Sequence, residues 1–287
     1  MKIKQLLFAF AMLSLAIGFN SCKKNNETIS EEFENTFEAS GNQAVSDNLT
    51  EDANDMFLQV ADENNIAGGF TAGGPVIVND FIPCATVTIT PLSGFPKTII
   101  IDFGTSCTDN NGNVRSGKIN ITLSDSVRKN GSVAVMTFTN YFINGFKIEG
   151  TNTWTNTSIA PGRSWTRRTE NGKITAPGGR WWTHYGLRTV VQTAGVATPI
   201  RIDDIFSITG THTVVNSSNI QRDITVLEAL IKKTACANID NGKLKVQGQT
   251  IMQLLILAMA HPVITWLLYQ LMAEHHVPSH YAKFFKV

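Results

Sequence analysis

Beyond residue 110 the chain is punctuated by Asn-Gly pairs at 111–112, 130–131, 144–145, 171–172 and 241–242. Asn-Gly tolerates positive φ at both positions, as the two-residue turn of a β-hairpin demands. Around these pairs apolar residues recur at every second place. Ile119, Ile121 and Leu123 alternate with Lys118, Asn120, Thr122 and Ser124, and Val133, Val135 and Thr137 with Ala134, Met136 and Phe138. That period of two begins near Cys84 and belongs to half-buried strands. MTFTNYFI and FKIEGTNTWT flank Asn144-Gly145 and predict a hairpin there. The connections are too short for crossover helices, so the strands are expected to be antiparallel. A mainly β fold follows, with hairpins or a meander forming an extended sheet or a sandwich.

Ahead of the β region the pattern differs. Lys2 and Lys4 precede an apolar run, Leu6 to Ile17, and small and polar residues then lead to Cys22. This reads as a secretory signal, too short for a stable membrane span. Ser21-Cys22, followed by Lys and acidic residues, resembles the lipobox of bacterial lipoproteins of the Bacteroidetes group. The resemblance implies a lipid-anchored protein acylated at Cys22, in the cell envelope on the outer membrane, facing the periplasm or the surface. Several acyl chains would anchor it firmly. Residues 23–40 are polar and acidic and read as a tether. From Asn42 to Asn65 the residues Ala44, Val45, Leu49, Ala53, Met56, Phe57, Val60 and Ala61 fall at helical spacing and predict a short amphipathic helix with a core-facing stripe.

The expected organisation is a signal peptide over 1–21, a polar tether and short helix over 22–80, a β domain over 81–249 and an aberrant apolar tail over 250–287. Two stretches echo each other, IEGTNTWTN at 148–156 and ITGTHTVVN at 208–216. They suggest a degenerate duplication, one half running from Cys84 through Thr155 and the other containing 203–216 and Cys236.

Cys84, Cys107 and Cys236 follow Cys22. In an exported protein two of the three are expected to pair. Cys84 and Cys107 open and close neighbouring strand-like runs and are the expected disulfide, with two buried free thiols as the alternative; Cys236 is left as an unpaired thiol.

The tail breaks this grammar. TIMQLLILAMAHPVITWLLYQLMA, residues 250–273, reads in frame as an apolar helix, membrane-spanning or buried, interrupted by His261-Pro262. The overlapping frame takes the third base of one codon and the first two of the next. With suitable third bases it spells NATLDFGDGTSCDNLATVSING. The chain itself holds IDFGTSCTDNNG at 101–112. A frameshift near Thr250 in the gene or its recorded sequence is therefore expected, with β structure in the intact C-terminus and a cysteine there to partner Cys236.

The motifs DFG-TSC-D, NYFINGFKIEGTNT, DDIFSITGT and KKTACANIDNGKLKV, spread over residues 84–248, resemble a family of Bacteroidetes lipoproteins of unknown function. That resemblance implies no catalytic residues.

Candidate sites are few. Asp109 to Asn113 lack the Gly and Glu positions of an EF-hand loop and read as a turn. Asp203-Asp204 read as the start of a strand. Glu274, His275, His276 and His280 imitate a metal cluster inside the suspect tail. His184 and His212 are isolated and expected to be structural. No phosphate loop, nucleophile elbow or zinc-binding helix motif occurs, so no catalytic residue, metal or cofactor is expected. The net charge of +1 and the absence of a basic stripe speak against nucleic acid. Trp154, Trp165, Trp181 and Trp182, interleaved with Arg163, Arg167, Arg168 and Arg180, are the candidate ligand-binding aromatics. The expected role is binding or structural, with a glycan or an envelope protein as candidate partner besides the membrane. A glycan-acting enzyme or accessory protein, or a lipid or lipoprotein carrier, is the alternative.

Overall fold

The computed structural model describes residues 21–66, 82–198, 201–236, 239, 241–248 and 252–257. Among the described residues one α-helix, α1 (Ser21–Glu63), precedes β1 (Thr86–Thr90), β2 (Lys97–Asp102), β3 (Cys107–Thr108), β4 (Val114–Leu123), β5 (Val133–Ile143) and β6 (Phe146–Asn156). There follow β7 (Ser164–Thr175), β8 (Trp181–Ala194), β9 (Ile205–Asn216), β10 (Gln221–Lys233), β11 (Asn241–Gln247) and β12 (Met252–Leu257). The strands form one antiparallel meander in chain order from β1 to β12, with the short β3 set beside β4. Helix and sheet share one core. Val45, Leu49, Met56, Phe57 and Val60 of α1 are buried with Ile99, Ile101, Ile121, Trp154, Trp165, Trp182 and Ile208 of the sheet. Phe57 meets Trp154 edge-on at 5.7 Å. Burial of five such side chains contributes on the order of 10 kcal/mol before entropy is counted.

The alternation of Ile119, Ile121 and Leu123 maps onto the buried face of β4 directly, whereas in β5 the buried set is Ala134 and Met136 rather than Val133 and Val135. Along β8, Trp182, His184, Arg188, Val190 and Gln192 point inward, while Trp181, Tyr185, Leu187 and Val191 point outward. Asn144 and Gly145 adopt φ of 50° and 82° and close the β5–β6 hairpin between paired Ile143 and Phe146. Two other Asn-Gly pairs are not turns. Asn171-Gly172 lies inside β7 at a register shift against β8, and Asn241-Gly242 opens β11. The dipeptide suits a bulge as well as a turn, because both need a positive φ.

The echo has a structural meaning. Gly150 in β6 and Gly210 in β9 take φ of 115° and 122°, and each lies at a register shift with a neighbouring strand. The strands bend there, as wrapping a sheet around a helix requires. Each echo ends in an asparagine that organises the next turn. Asn156 Oδ1 accepts from the Ser158 amide, and Asn216 Oδ1 from those of Ser218 and Ile220.

Two expectations are corrected. The helix is 43 residues long and includes the acidic segment 23–40 read as a tether. Thr36 and Ser40 donate their hydroxyls to the carbonyls of Glu32 and Thr36, four residues back, which satisfies small polar side chains within a buried helix. The apolar tail does not begin as a helix: Met252–Leu257 is strand β12, paired with β11. The rest of that block lies outside the described residues, as do the signal peptide over 1–20 and Glu274, His275, His276 and His280. Among the described residues no helix is long and apolar enough to cross a membrane.

The meander sorts its turns onto two rims. The β5–β6, β7–β8 and β9–β10 turns lie on one, and the β1–β2, β4–β5, β6–β7 and β8–β9 turns on the other. α1 enters at the first rim, where Glu32 meets Arg222 at the start of β10 and Glu38 meets Arg180 beside β8. It leaves at the second, where Asp62 meets Arg128 in the β4–β5 turn.

Candidate functional site

The inner face of the sheet is lined with arginines, and α1 answers them with carboxylates. Arg222 of β10 donates to Glu32 at 2.7 Å and to the Thr36 hydroxyl. Arg180 reaches Glu38 at 2.7 Å, whose other oxygen accepts from Asn216. Arg188 of β8 donates both ways to Asp47, at 3.1 and 3.2 Å. Arg167 of β7 lies 2.6 Å from Glu51. Arg115 of β4 holds Asp52 with both terminal nitrogens and also reaches Asp109 and the Tyr141 hydroxyl. Arg115, Arg167, Arg188 and Arg222 are buried. Paired buried charges of this kind add little net stability, since desolvation offsets much of the attraction.

Near the Asp47–Arg188 pair sit His184 of β8 and His212 of β9. Their rings stack, and Nδ1 of His184 is 3.0 Å from Nε2 of His212. Glycines make the room. A Cβ on Gly172 would come 2.6 Å from His184 Nε2, and one on Gly186 would come 2.5 Å from His212 Nδ1. Burial pushes the two imidazoles down, to about 4 for His184 and about 3 for His212, against the opposing pull of Asp47. Both are neutral at pH 7. Burial pushes the Asp47 carboxyl up, but Arg188 and His212 lead the groups that outweigh it and hold it below its ordinary value. The cluster is shut away from solvent, and with Asp47 supplied by α1 it ties helix to sheet.

The sequence candidates scatter. Trp154, Trp165 and Trp182 are buried, Trp182 completely, so three of the four candidate ligand-binding aromatics are core residues. They occupy inward places on strands that bury one face. Trp182 donates its indole N–H to Ser46 of α1 at 2.9 Å. Only Trp181 is exposed, at 37%, with the Lys173 ammonium 4.8 Å from its ring. Of the interleaved arginines, Arg167 and Arg180 serve the helix, Arg163 pairs with Asp204, and Arg168 pairs with Glu170 on the surface.

Asp109 is a turn residue: Oδ1 accepts from the amides of Asn111 and Asn113, and Oδ2 from Arg115. Asp204 is buried, accepting from Gln192 and Arg163, and Asp203 accepts from the Thr198 hydroxyl. Cys84 and Cys107 form a disulfide, and Cys236 is a half-buried free thiol. Among the described residues no group of acidic, His or Cys side chains has the geometry of a metal site. A cleft between α1, β1 and β2, lined by Met56, Val60, Ile82, Val87 and Ile101, encloses about 10 Å³, room for a water.

The arginine–carboxylate ladder went unread in the sequence, although its signal was there. Arg167, Arg188 and Arg222 sit at inward places of alternating strands, and their partners are Glu51 and Asp47 of the expected helix and Glu32 of the acidic segment before it.

Comparison with protein families, with curated proteins and with solved structures finds no match.

Proposed function

We propose that this is a lipid-anchored cell-envelope protein that acts by binding an envelope partner or as a structural element, held to the membrane through Cys22. The observation that supports it most is the course of α1. Among the described residues the helix runs from Ser21, beside the cysteine that would end the export signal, through the sheet to Glu63. The anchor end lies at one rim. At the opposite rim Leu92, Ile159 and Ile202 project from three separate turns, 92%, 82% and 67% exposed. Apolar tips of that kind suit contact with a partner. The inner face, which a lipid carrier would keep open for acyl chains, is filled by α1. A glycan-contacting role retains one pair of exposed aromatics, Trp181 and Tyr185 on the outer face of β8.

The test is acylation in the native host. Wild type is expected to take up labelled palmitate and to sediment with membranes. Cys22→Ser is expected to lose the label and move to the soluble fraction. A Cys22→Ser variant that still sediments and still incorporates palmitate overturns the proposal.

A further inference from the structure

The first edge of the sheet is built as a clasp. Cys84 stands two residues before β1, β1 pairs with β2, and β2 runs into Asp102-Phe103-Gly104 and then Thr105-Ser106-Cys107. Four residues of that run have visible tasks. Asp102 Oδ1 accepts from the Gly104 amide at 2.9 Å. Phe103 is buried, and its amide donates to the Gly117 carbonyl. Gly104 takes a φ of 61°, and its carbonyl accepts from the Gly117 amide. The chain turns at this corner and delivers Cys107 to Cys84, 23 residues back.

The other edge repeats the order up to a point. Cys236 stands five residues before β11, and β11 pairs with β12. In frame β12 reads MQLLIL, with no Asp-Phe-Gly after it in the sequence. With suitable third bases the overlapping frame over the same codons can spell ATLDFG, followed by DGTSC. Its Leu and Phe fall on one face, as Ile101 and Phe103 do, and its Asp and Gly fall where Asp102 and Gly104 stand around Phe103. Its cysteine is encoded across Pro262 and Val263, about 26 residues after Cys236. Several of these outcomes leave little freedom. Met has one codon, so Met252-Gln253 forces the Ala of ATLDFG and Met259-Ala260 forces the Gly of DGTSC.

We propose that the codons of residues 251–273 carry, in the overlapping frame, the second strand and closing cysteine of a duplicate of the Cys84–Cys107 hairpin, so that both edges of the meander are built as disulfide clasps and Cys236 opens the second one. Strand β12 survives the change of frame because backbone pairing with β11 tolerates many side chains, whereas the corner and its cysteine do not. Closing the clasp joins the two sulfurs. The two thiols give up two protons and two electrons to a dithiol–disulfide exchange oxidant, which is reduced to its dithiol. The proposal stands apart from the anchor at Cys22.

Resequencing the locus is the first test. The third bases from Ile251 to Met272 are expected to be those that spell ATLDFGDGTSC and its continuation. Third bases that cannot spell it overturn the proposal. The second test compares the chain as it stands with the frame-restored chain, both oxidised and treated with iodoacetamide without reductant. The present chain is expected to be labelled at Cys236, with Cys84 and Cys107 protected. In the restored chain labelling of Cys236 is expected to fall at least tenfold, with a peptide linking it to the new cysteine. Full labelling of Cys236 in a restored chain that retains the Cys84–Cys107 bond overturns the clasp, and the locus decides the matter if the restored chain fails to fold.

Discussion

At the scale of single residues, the inner face of the sheet places charge where most β proteins place only hydrocarbon. Asp47 and Arg188 are both buried. Removing either partner strands the other charge, which costs about 3–5 kcal/mol, while replacing both with apolar residues of similar volume is close to neutral. Asp47→Leu and Arg188→Met are each expected to lower the urea midpoint sharply, and the double variant to recover most of the loss. A double variant no more stable than the worse single one would show that the pair is not energetically closed. The histidines give the molecule a pH dependence with a defined sign. Their ordinary value is 6.5, and in the fold they lie near 4 and 3. Below pH 6.5 the unfolded chain therefore binds protons that the folded chain refuses, and stability falls by up to about 1.4 kcal/mol per pH unit for each histidine. Asp47 acts lower: its stabilisation is present above its unfolded value of 3.8 and is lost as pH falls through its depressed folded value. Chemical denaturation between pH 7.5 and 4.5 is expected to show the loss in wild type and a flatter curve in His184→Gln/His212→Gln. Parallel curves for the two proteins would remove the histidines as its cause.

At the scale of elements, strands were legible and bends were not. Period-two alternation marks β4 and β5 because each buries one face, and Asn144-Gly145 marks its turn because both residues need positive φ. Asn171-Gly172 carries the same local signature inside a strand, and only pairing with β8 distinguishes a bulge from a turn. The helix was half legible. Its C-terminal half has the apolar stripe Val45, Leu49, Met56, Phe57, Val60, whereas Glu32, Thr36 and Glu38 face arginines that sequence spacing cannot place beside them. The disulfide was legible because two cysteines bracket one hairpin, and the aromatic site was not, because alternation alone does not say which face of a strand is covered. The bends themselves are testable. Gly117 sits at a φ of 78°, and a Cβ there would lie 2.0 Å from the Asn140 carbonyl oxygen, which is backbone and cannot swing aside. Gly131 has a φ of 82° with open space around it. Gly131→Ala is expected to cost about 1–2 kcal/mol, the strain of the left-handed region alone. Gly117→Ala is expected to cost well over 3 kcal/mol or to prevent folding. Equal losses in thermal or urea unfolding would mean that the β4–β5 bulge relaxes freely and does not shape the sheet.

At the scale of the whole molecule, one long helix threaded through a wrapped sheet gives the protein two unlike ends. α1 extends from residue 21 to its first ion pair with the sheet at Glu32, about 15 Å at the rise of an α-helix, and then crosses the sheet from one rim to the other. From Cys22 to Glu63 the helix is about 60 Å long. If Cys22 is acylated as proposed, the rim holding the β9–β10 turn would face the lipid, and the rim holding Leu92, Ile159 and Ile202 would face away. The arrangement depends on α1 staying helical between the anchor and Glu32, since a flexible tether there would let either rim touch the bilayer. Asn219 in the β9–β10 turn and Ile159 in the β6–β7 turn mark the two rims and are both exposed. In a Cys236→Ser background, a fluorophore attached at Asn219→Cys of the lipidated protein on vesicles is expected to be quenched by spin-labelled headgroups. The same fluorophore at Ile159→Cys is expected to be quenched little, and insertion of Gly-Gly-Ser-Gly between Thr28 and Ile29 is expected to erase the difference. Equal quenching at both sites before the insertion would show that the helix does not hold the sheet away from the membrane, and the apolar rim would then be a candidate for contact with the anchoring bilayer itself.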